Sequence, residues 1–290
     1  MSSVLPDVLD VVRSLQSARQ TAPRHPRPSD RIGFALSSKD RFAFTLKTIR
    51  ALDAQGGIDL IWNDGSDQED VPDLSKNFVF ENVRLVEVNY GIRGGPDKAI
   101  CFSLRRLLDL GYDYIGLIEN DVIVRPGWLK ELMLLFHLAA EDGLVVGAAS
   151  VMSYESRVME FRKKYSVDWA RGANMVLFSR PAAQLVLDHY DSLRITTGEI
   201  RRFYADLFGI ALHVSEWSVG PVWLDGPMAL DWGYTPLLYQ HGYASVSSVP
   251  SMAYDLEFDV RQLLQTNYVS LGKSNAGLAH PRISTPGPDH

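Results

Sequence analysis

The chain has 290 residues, 46% of them hydrophobic and 22% charged, which is enough to bury a substantial core in one large domain. Its net charge is −6 and no segment clusters Lys and Arg, which argues against a nucleic-acid partner because phosphate contacts require such clusters. No apolar run approaches the roughly 20 residues that cross a bilayer, and the amino terminus has no signal-peptide pattern. The single cysteine, Cys101, permits no internal disulfide. We therefore expect a cytoplasmic protein with no transmembrane segment.

Both ends of the chain differ from its middle. Apolar residues recur at helical spacing over residues 4–15, and a basic, proline-containing linker follows. Packing on the body of the protein is the simplest interpretation of this helix, and contact with a partner helix or a membrane surface is the alternative. Residues from Gly272 onward have the composition of a tail. We expect an N-terminal helix and linker at 1–30, one domain at 31–258, and a C-terminal extension and tail at 259–290.

The domain opens with a strand, a helix and a second strand. Arg31 to Leu36 is an apolar strand that ends in two serines, Ser37 and Ser38. Asp40 is placed to cap a helix, which the glycine pair at 56 and 57 ends. The second strand, residues 58–62, runs into the turn cluster NDGS, a kind of turn that ends strands facing a ligand.

A third strand and a second helix follow. Residues 83–88 are apolar, and the glycine-rich segment 89–95 separates them from a helix that starts near Asp97 and ends at Gly111. Parallel strands joined in this way open their carboxyl ends on one edge of a sheet, and helices cover its faces. We therefore predict an α/β fold with a mixed, mostly parallel sheet of the Rossmann-like kind and helices on both faces.

The segment YIGLIENDVIVRPGWL, residues 114–129, sets two carboxylates beside each other at the end of a buried strand. Glu119 and Asp121 follow its apolar start, and an amphipathic helix opens near Trp128. Ligands bind at strand-to-helix connections of this kind in α/β proteins. Two carboxylates separated by one residue can offer hard oxygens to Mg²⁺ or Mn²⁺ and leave positions open for substrate phosphates. The alternative is a polar loop that only caps the helix.

Five segments in order resemble the nucleotide-sugar glycosyltransferases of the GT-A fold, in particular the large inverting family two, over residues 31–255. The five segments are NDGSDQ at 63–68, DKA at 97–99, IENDVIVRPGWL at 118–129, RGANMVLFSRPA at 171–182 and ALDWGYTPLLYQHGYASVSSVP at 229–250. In that family they hold the nucleobase turn, a lysine near the donor, the DXD metal motif, a strand followed by a helix, and a catalytic acid pair. The resemblance implies a nucleotide-sugar-binding part at 31–125 and an acceptor-binding part at 126–258.

The resemblance assigns five residues to the donor side. Asp64 inherits the nucleobase contact, Lys98 approaches the donor, and Ser37 at the end of the first strand belongs to the same set. Glu119 stands where the family has the first aspartate of DXD, which moves the charge one methylene outward. Asp121 is the better-placed metal ligand, and the implied cofactor is Mn²⁺ or Mg²⁺.

Two further residues complete the implied site. Asp231 matches the aspartate that the family uses as its base, although Leu230 replaces the acid before it. A helix N-cap is the alternative role for Asp231. The family often supplies a late histidine to the metal, and Asp255 is the substitute candidate here. The seven histidines are dispersed along the sequence, and none forms the closely spaced pairs in sequence that are expected of a zinc site.

The implied reaction moves a sugar, with inversion, from a nucleotide-diphosphate donor to a glycan or another hydroxyl acceptor, as hexosyltransferases do. A UDP-sugar is the favoured donor. A GT-A domain that binds nucleotide-sugar without turnover is the alternative suggested by Glu119 and Leu230. A sugar-nucleotide pyrophosphorylase is less favoured, because residues 37–41 read SSKDR where that class has a glycine-rich loop.

Overall fold

The computed structural model describes residues 25–39, 41–55, 57–66, 79–92, 95–154, 158–169, 172, 174–189 and 230–256. The helix predicted at 4–15, the cap at Asp40 and the extension at 259–290 lie outside these residues, so the predicted domain limits stay predictions. None of the helices in the described ranges has the length and apolar character needed to cross a membrane.

The described elements follow the order that the sequence predicts. The strands are β1 (Ile32–Ser38), β2 (Ile58–Asp64), β3 (Val83–Tyr90), β4 (Tyr114–Glu119), β5 (Val122–Val124), β6 (Val146–Ser150), β7 (Val158–Phe161), β8 (Tyr165–Asp168), β9 (Met175–Ser179), β10 (Ala244–Ser248) and β11 (Ala253–Asp255). The helices are α1 (Phe42–Asp53), α2 (Gly95–Asp109), α3 (Trp128–Glu141), α4 (Arg180–Asp188) and α5 (Leu230–Gln240). All four strands predicted in the first half are confirmed, and each continues one or two residues beyond its apolar run.

Within the described residues, nine strands form one mixed sheet in the order β3-β2-β1-β4-β9-β6-β10-β8-β7. The first four strands in this order are parallel to each other. β9 is antiparallel to both β4 and β6, β10 is parallel to β6, and β8 and β7 continue the sheet by antiparallel pairing. Only β9 and β8 therefore run against the common direction, which confirms the predicted mixed, mostly parallel sheet.

Helices cover both faces of this sheet, as predicted. On one face, α1 and α3 pack on a core that includes Phe34, Leu36 and Trp62. On the other face, α2, α4 and α5 pack on a core that includes Ala35 and Ile61. Successive residues of β1 enter different cores because side chains alternate along a strand. The same alternation directs the two serines that end β1 to opposite faces.

Gly116 fixes the central strand β4 against the helix that follows the two carboxylates. A Cβ at this position would lie 2.0 Å from Cδ1 of Phe34, so only glycine leaves room for that ring. The Phe34 ring in turn packs edge-on against Trp128, with ring centroids 5.3 Å apart. Strand β4 and the start of α3 are therefore held together through one aromatic side chain.

A second, two-stranded sheet corrects the expectation of a simple strand-to-helix connection after Glu119. β5 lies between β4 and α3 and pairs antiparallel with β11, so that Asp255 is opposite Val122. Three-residue strands carry too little alternation to be recognised, and the two partners are far apart in the sequence. The consequence is that the end of the described chain lies beside the acidic segment.

Candidate active site

The carboxyl ends of β1, β2, β3 and β4 meet at one edge of the sheet, which we call the carboxyl edge. In the order β3-β2-β1-β4 the winding reverses between β1 and β4, and Ser37 of β1 is in register with Glu119 of β4. Open α/β sheets bind ligands outside the carboxyl ends of their strands at such a reversal. The predicted site residues at the ends of these strands are thus brought to the position where a ligand site is expected.

One row of polar side chains crosses this edge on the face covered by α2. Asn89, Asn63, Ser37 and Glu119 are in register across the four parallel strands. Asn89 Nδ2 donates to Asn63 Oδ1 at 3.0 Å, and Asn63 Nδ2 donates to Ser103 Oγ of α2 at 2.7 Å. From the sequence, Asn63 and Asn89 are predicted as turn residues, and only the register of the strands joins them to Ser37.

Glu119 is oriented by Asn174, a residue of the segment RGANMVLFSRPA to which the sequence assigned no role. Its carboxylate Oε2 accepts a hydrogen bond from Asn174 Nδ2 at 2.9 Å, and its backbone N–H donates to the Asn174 carbonyl at 2.8 Å. Asn174 lies directly before β9, the antiparallel neighbour of β4. The longer glutamate side chain therefore has a fixed partner across the sheet.

Asp121 lies deeper than Glu119 and pairs with a cation from another element. The residue is 7% exposed, and Arg41 Nη1 lies 3.3 Å from its Oδ2. Arg41 precedes α1, and its side chain is 42% exposed. The pairing was not predicted, although SSKDR places an arginine directly after the first strand, and that is the signal which could have indicated it.

The backbone between the two acids is anchored to α1. Thr48 Oγ1 donates to the Asn120 carbonyl at 2.9 Å, and Asn120 Nδ2 donates to Thr45 Oγ1 at 3.2 Å. Both threonines are fully buried. The acidic segment is therefore held against the same helix that carries Arg41 at its start.

Asp255 reaches the acidic segment through the β5–β11 pairing. It is opposite Val122, and the N–H of Leu256 donates to the Asp121 carbonyl at 2.7 Å. Within the described ranges, no group of three or more His, Cys, Asp or Glu side chains is arranged to hold a metal ion. Mg²⁺ commonly binds one or two carboxylates and completes its shell with water and substrate phosphates. The carboxylates of Asp121, Glu119 and Asp255 are hard oxygen donors of the kind that such a cation takes, and their role as its ligands stays a prediction.

Asp64 makes the contacts of a turn-shaping residue. It is 3% exposed, its Oδ2 accepts from Ser38 Oγ at 3.0 Å, and its Oδ1 accepts from the N–H of Ser66 at 2.6 Å. Trp62 Nε1 donates to the same Ser38 hydroxyl at 2.8 Å. These bonds explain the short side chain at this position, and the nucleobase contact stays a prediction.

The remaining predicted residues begin helices near the carboxyl edge. Lys98 is exposed in the first turns of α2, which follows β3. Asp231 is the second residue of α5, and its side chain lies outside the described part of the chain. One turn later, Tyr234 donates its hydroxyl to the Gly172 carbonyl at 3.1 Å, just before Asn174. The first turn of α5 is thereby tied to the segment that orients Glu119.

Two pairs of histidines meet in the fold, although no histidines are paired closely in the sequence. Nδ1 of His25 lies 3.1 Å from Nδ1 of His137, and the rings of His189 and His241 are 5.5 Å apart. Each pair joins residues distant in the sequence, so spacing could not reveal it. Among the described residues neither pair has the third ligand of a metal site.

No protein-family model matches the sequence, and a search of curated proteins returns no match. Among solved structures, a crystal structure of TarS 1–349 from S. aureus has 11% sequence identity and a TM-score of 0.45, and covers 81% of this chain and 64% of that one. A second crystal structure of S. aureus TarS also has 11% identity and a TM-score of 0.45, and covers 75% of this chain and 34% of that one. The chain thus spans less than two thirds of either structure. The class that the fold defines is a mixed α/β protein with its polar site at the carboxyl edge.

Proposed function

We propose that the chain is a metal-dependent glycosyltransferase that moves a sugar, with inversion, from a nucleotide-diphosphate donor to a glycan or another hydroxyl acceptor. One observation carries the proposal. Glu119 and Asp121 lie at the carboxyl edge where the strand order reverses, and β11 brings Asp255 beside them. A UDP-sugar is the favoured donor and a hexosyl group the favoured cargo.

Asp121, with Glu119 or Asp255, would hold Mn²⁺ or Mg²⁺. When bound, such an ion neutralises the charge that develops on the departing diphosphate. The protein contributes a carboxylate that is nearly buried and a backbone fixed to α1 by Thr45 and Thr48. A rigid support of this kind favours a defined position for the diphosphate.

Asp231 is proposed as the general base. A sugar hydroxyl is a weak nucleophile, so a carboxylate within hydrogen-bond reach accelerates its attack by about a hundred- to ten-thousand-fold when it accepts the proton. One attack from the face opposite the leaving diphosphate inverts the anomeric centre. The hydrogen bond from Tyr234 to Gly172 supports this role, because it ties the helix that carries Asp231 to the segment beside Glu119.

A domain that binds nucleotide-sugar without turnover is the second candidate. The observation that favours it is the engagement of Glu119 with Asn174 and of Asp64 with Ser38 and Ser66, which gives both acids a structural partner. A pyrophosphorylase is less favoured, since an arginine-containing loop takes the place of the glycine-rich loop that such enzymes need.

A thermal-shift screen of UDP-, GDP- and dTDP-sugars with and without Mn²⁺ tests the proposal. We expect one nucleotide class to raise the melting temperature only when Mn²⁺ is present, because a ligand at a hundredfold excess over its Kd adds about 2.7 kcal/mol to the free energy of unfolding. The stabilising donor is then incubated with the protein, and released nucleotide is measured. Metal-dependent stabilisation without transfer or hydrolysis would favour the binding domain, and no stabilisation by any donor would refute both.

A further inference from the structure

The ion pair between Arg41 and Asp121 engages the carboxylate that is proposed to bind the cation. Asp121 is almost buried, and a single guanidinium nitrogen of Arg41 lies 3.3 Å from its Oδ2. The Arg41 backbone is fixed, because its carbonyl accepts from the N–H groups of Phe44 and Thr45 at 3.0 Å. Its side chain, in contrast, is 42% exposed. The charged end of Arg41 can therefore move while its backbone stays at the start of α1.

Electrostatics make this pair an obstacle to a metal ion binding alone. A nearly buried carboxylate requires a counter-charge, and Arg41 supplies it. A divalent cation at Asp121 would lie within a few ångströms of the guanidinium, and like charges at that distance repel strongly where water is scarce. Repulsion from the cation therefore favours release of the guanidinium from Asp121.

We propose that Arg41 is a counterion that exchanges partners, pairing with Asp121 in the empty site and with the donor diphosphate once a cation has taken Asp121. This inference rests on the proposed function, because the diphosphate is that of the donor. A guanidinium matches phosphate oxygens with two parallel hydrogen bonds, whereas its hydrogen bond to Asp121 is long, at 3.3 Å. The cation and the nucleotide then each strengthen the binding of the other by the same factor.

Mn²⁺ binding without nucleotide gives the first test, read from the electron paramagnetic resonance signal of free Mn²⁺. Arg41→Gln should bind Mn²⁺ on the order of tenfold more tightly than the wild type, and Arg41→Lys, which keeps the charge, should stay closer to the wild type. Arg50→Gln is the matched control, since it removes the same charge from the exposed face of the same helix. Melting temperatures show whether each variant is folded.

UDP binding in saturating Mn²⁺ gives the second test. Arg41→Gln should bind UDP on the order of tenfold more weakly than the wild type, while Arg50→Gln should match the wild type.

Equal Mn²⁺ affinity in the wild type and Arg41→Gln, or no Mn²⁺ binding in either, would overturn the exchange. A lower melting temperature in Arg41→Gln with unchanged Mn²⁺ affinity would show that the pair only supports the fold. Unchanged UDP affinity would overturn the diphosphate contact, and failure of UDP to bind any variant would count against the proposed function while the Mn²⁺ test still stands.

Discussion

The two edges of the parallel strands use their acidic residues differently. At the opposite, amino edge, Asp53 accepts three backbone N–H bonds, from Glu81 at 3.1 Å, Asn82 at 2.7 Å and Val83 at 2.8 Å. At the carboxyl edge, Asp121 pairs with a guanidinium nitrogen of Arg41 at 3.3 Å, from a side chain that is 42% exposed. The acid at the amino edge is bound by backbone donors, whereas the acid at the carboxyl edge is paired with a side chain, which we propose the cation displaces.

Asp59 shows the same commitment at the amino edge. Arg84 holds both of its carboxylate oxygens, and Tyr112 donates its hydroxyl to Oδ2 at 2.6 Å. The hydrogen bonds from Arg84 lower the pKa of Asp59, although burial opposes this, and burial together with Asp59 raises the pKa of Tyr112 to about 12. Arg84 and Tyr112 together engage both carboxylate oxygens of Asp59.

The largest effect is expected for Asp121 at the carboxyl edge, and it distinguishes this edge from the amino edge. Asp121→Asn should abolish the Mn²⁺-dependent stabilisation by the donor, because it removes the better-placed hard ligand. Asp59→Asn is the matched control at the amino edge and should keep the full donor-induced shift in melting temperature. Unchanged stabilisation in Asp121→Asn would break the comparison. Glu119→Ala should weaken donor binding less completely, and equal, total loss in both acids would mean that their roles are wrongly assigned.

A substitution at Asp231 should reduce catalysis while leaving donor binding nearly unchanged. A general base acts in the transition state, so Asp231→Asn should lower kcat by about a hundredfold or more while the donor Kd stays within a few-fold of the wild type. Because Asp231 is the second residue of α5, its alternative role is to stabilise the first turn of that helix, and this role predicts nearly normal turnover in Asp231→Asn. Steady-state kinetics with the true acceptor decides between them, and a wild-type kcat would move the base to another residue, with Asp225 the next candidate.

The next largest effect is expected at Asp64, in the turn that is predicted to contact the nucleobase. If Asp64 contacts the base, Asp64→Ala should weaken donor binding by roughly 1–3 kcal/mol, the cost of leaving a hydrogen-bonding partner unsatisfied. If the bonds to Ser38 and Ser66 are its whole function, the variant should lose melting temperature with no selective loss of donor affinity. Calorimetric titration of the donor, together with thermal unfolding, distinguishes the two outcomes.

The smallest effect belongs to Asp53 and concerns the free energy of unfolding. Burial opposes ionisation of Asp53, but its bonds from Val83, Asn82 and Glu81 hold its pKa below the usual 3.8. A carboxyl group whose pKa is lower in the folded state stabilises the protein fully at pH values above its unfolded-state pKa. This stabilisation is lost as the pH falls through the folded-state pKa. Asp53→Asn should therefore cost about 1–2 kcal/mol near neutral pH and less near pH 3.

Denaturant unfolding at both pH values measures this difference. An equal gap between Asp53→Asn and the wild type at both pH values would show that ionisation of Asp53 contributes nothing to stability. The variant should keep the donor-induced shift in melting temperature, since Asp53 lies at the amino edge.

Most of the framework was predictable because its signals are local. The apolar runs of β1, β2, β3 and β4 and the glycine-led start of α3 appear within a few residues of sequence, and the structure confirms them. The partners of the acids are not local. Arg41 reaches Asp121 across 80 positions and Asn174 reaches Glu119 across 55, so only the folded sheet reveals them.

The β5–β11 pairing illustrates the same limit. Three residues on each strand give no recognisable period, yet this pairing places the backbone of Asp255 beside the acidic segment. The sequence could nominate Asp255 only by resemblance, and its neighbourhood follows from backbone hydrogen bonds between distant segments.

The cation and the donor diphosphate are proposed to bind together at the carboxyl edge, between the ends of β1 and β4. Anomalous X-ray diffraction from a crystal grown with Mn²⁺ and the stabilising donor tests it most directly. We expect a manganese peak within coordination distance of the Asp121 carboxylate, with the diphosphate of the donor bound to the same ion. A peak remote from Asp121, or a donor bound away from the ends of β1 and β4, would contradict it.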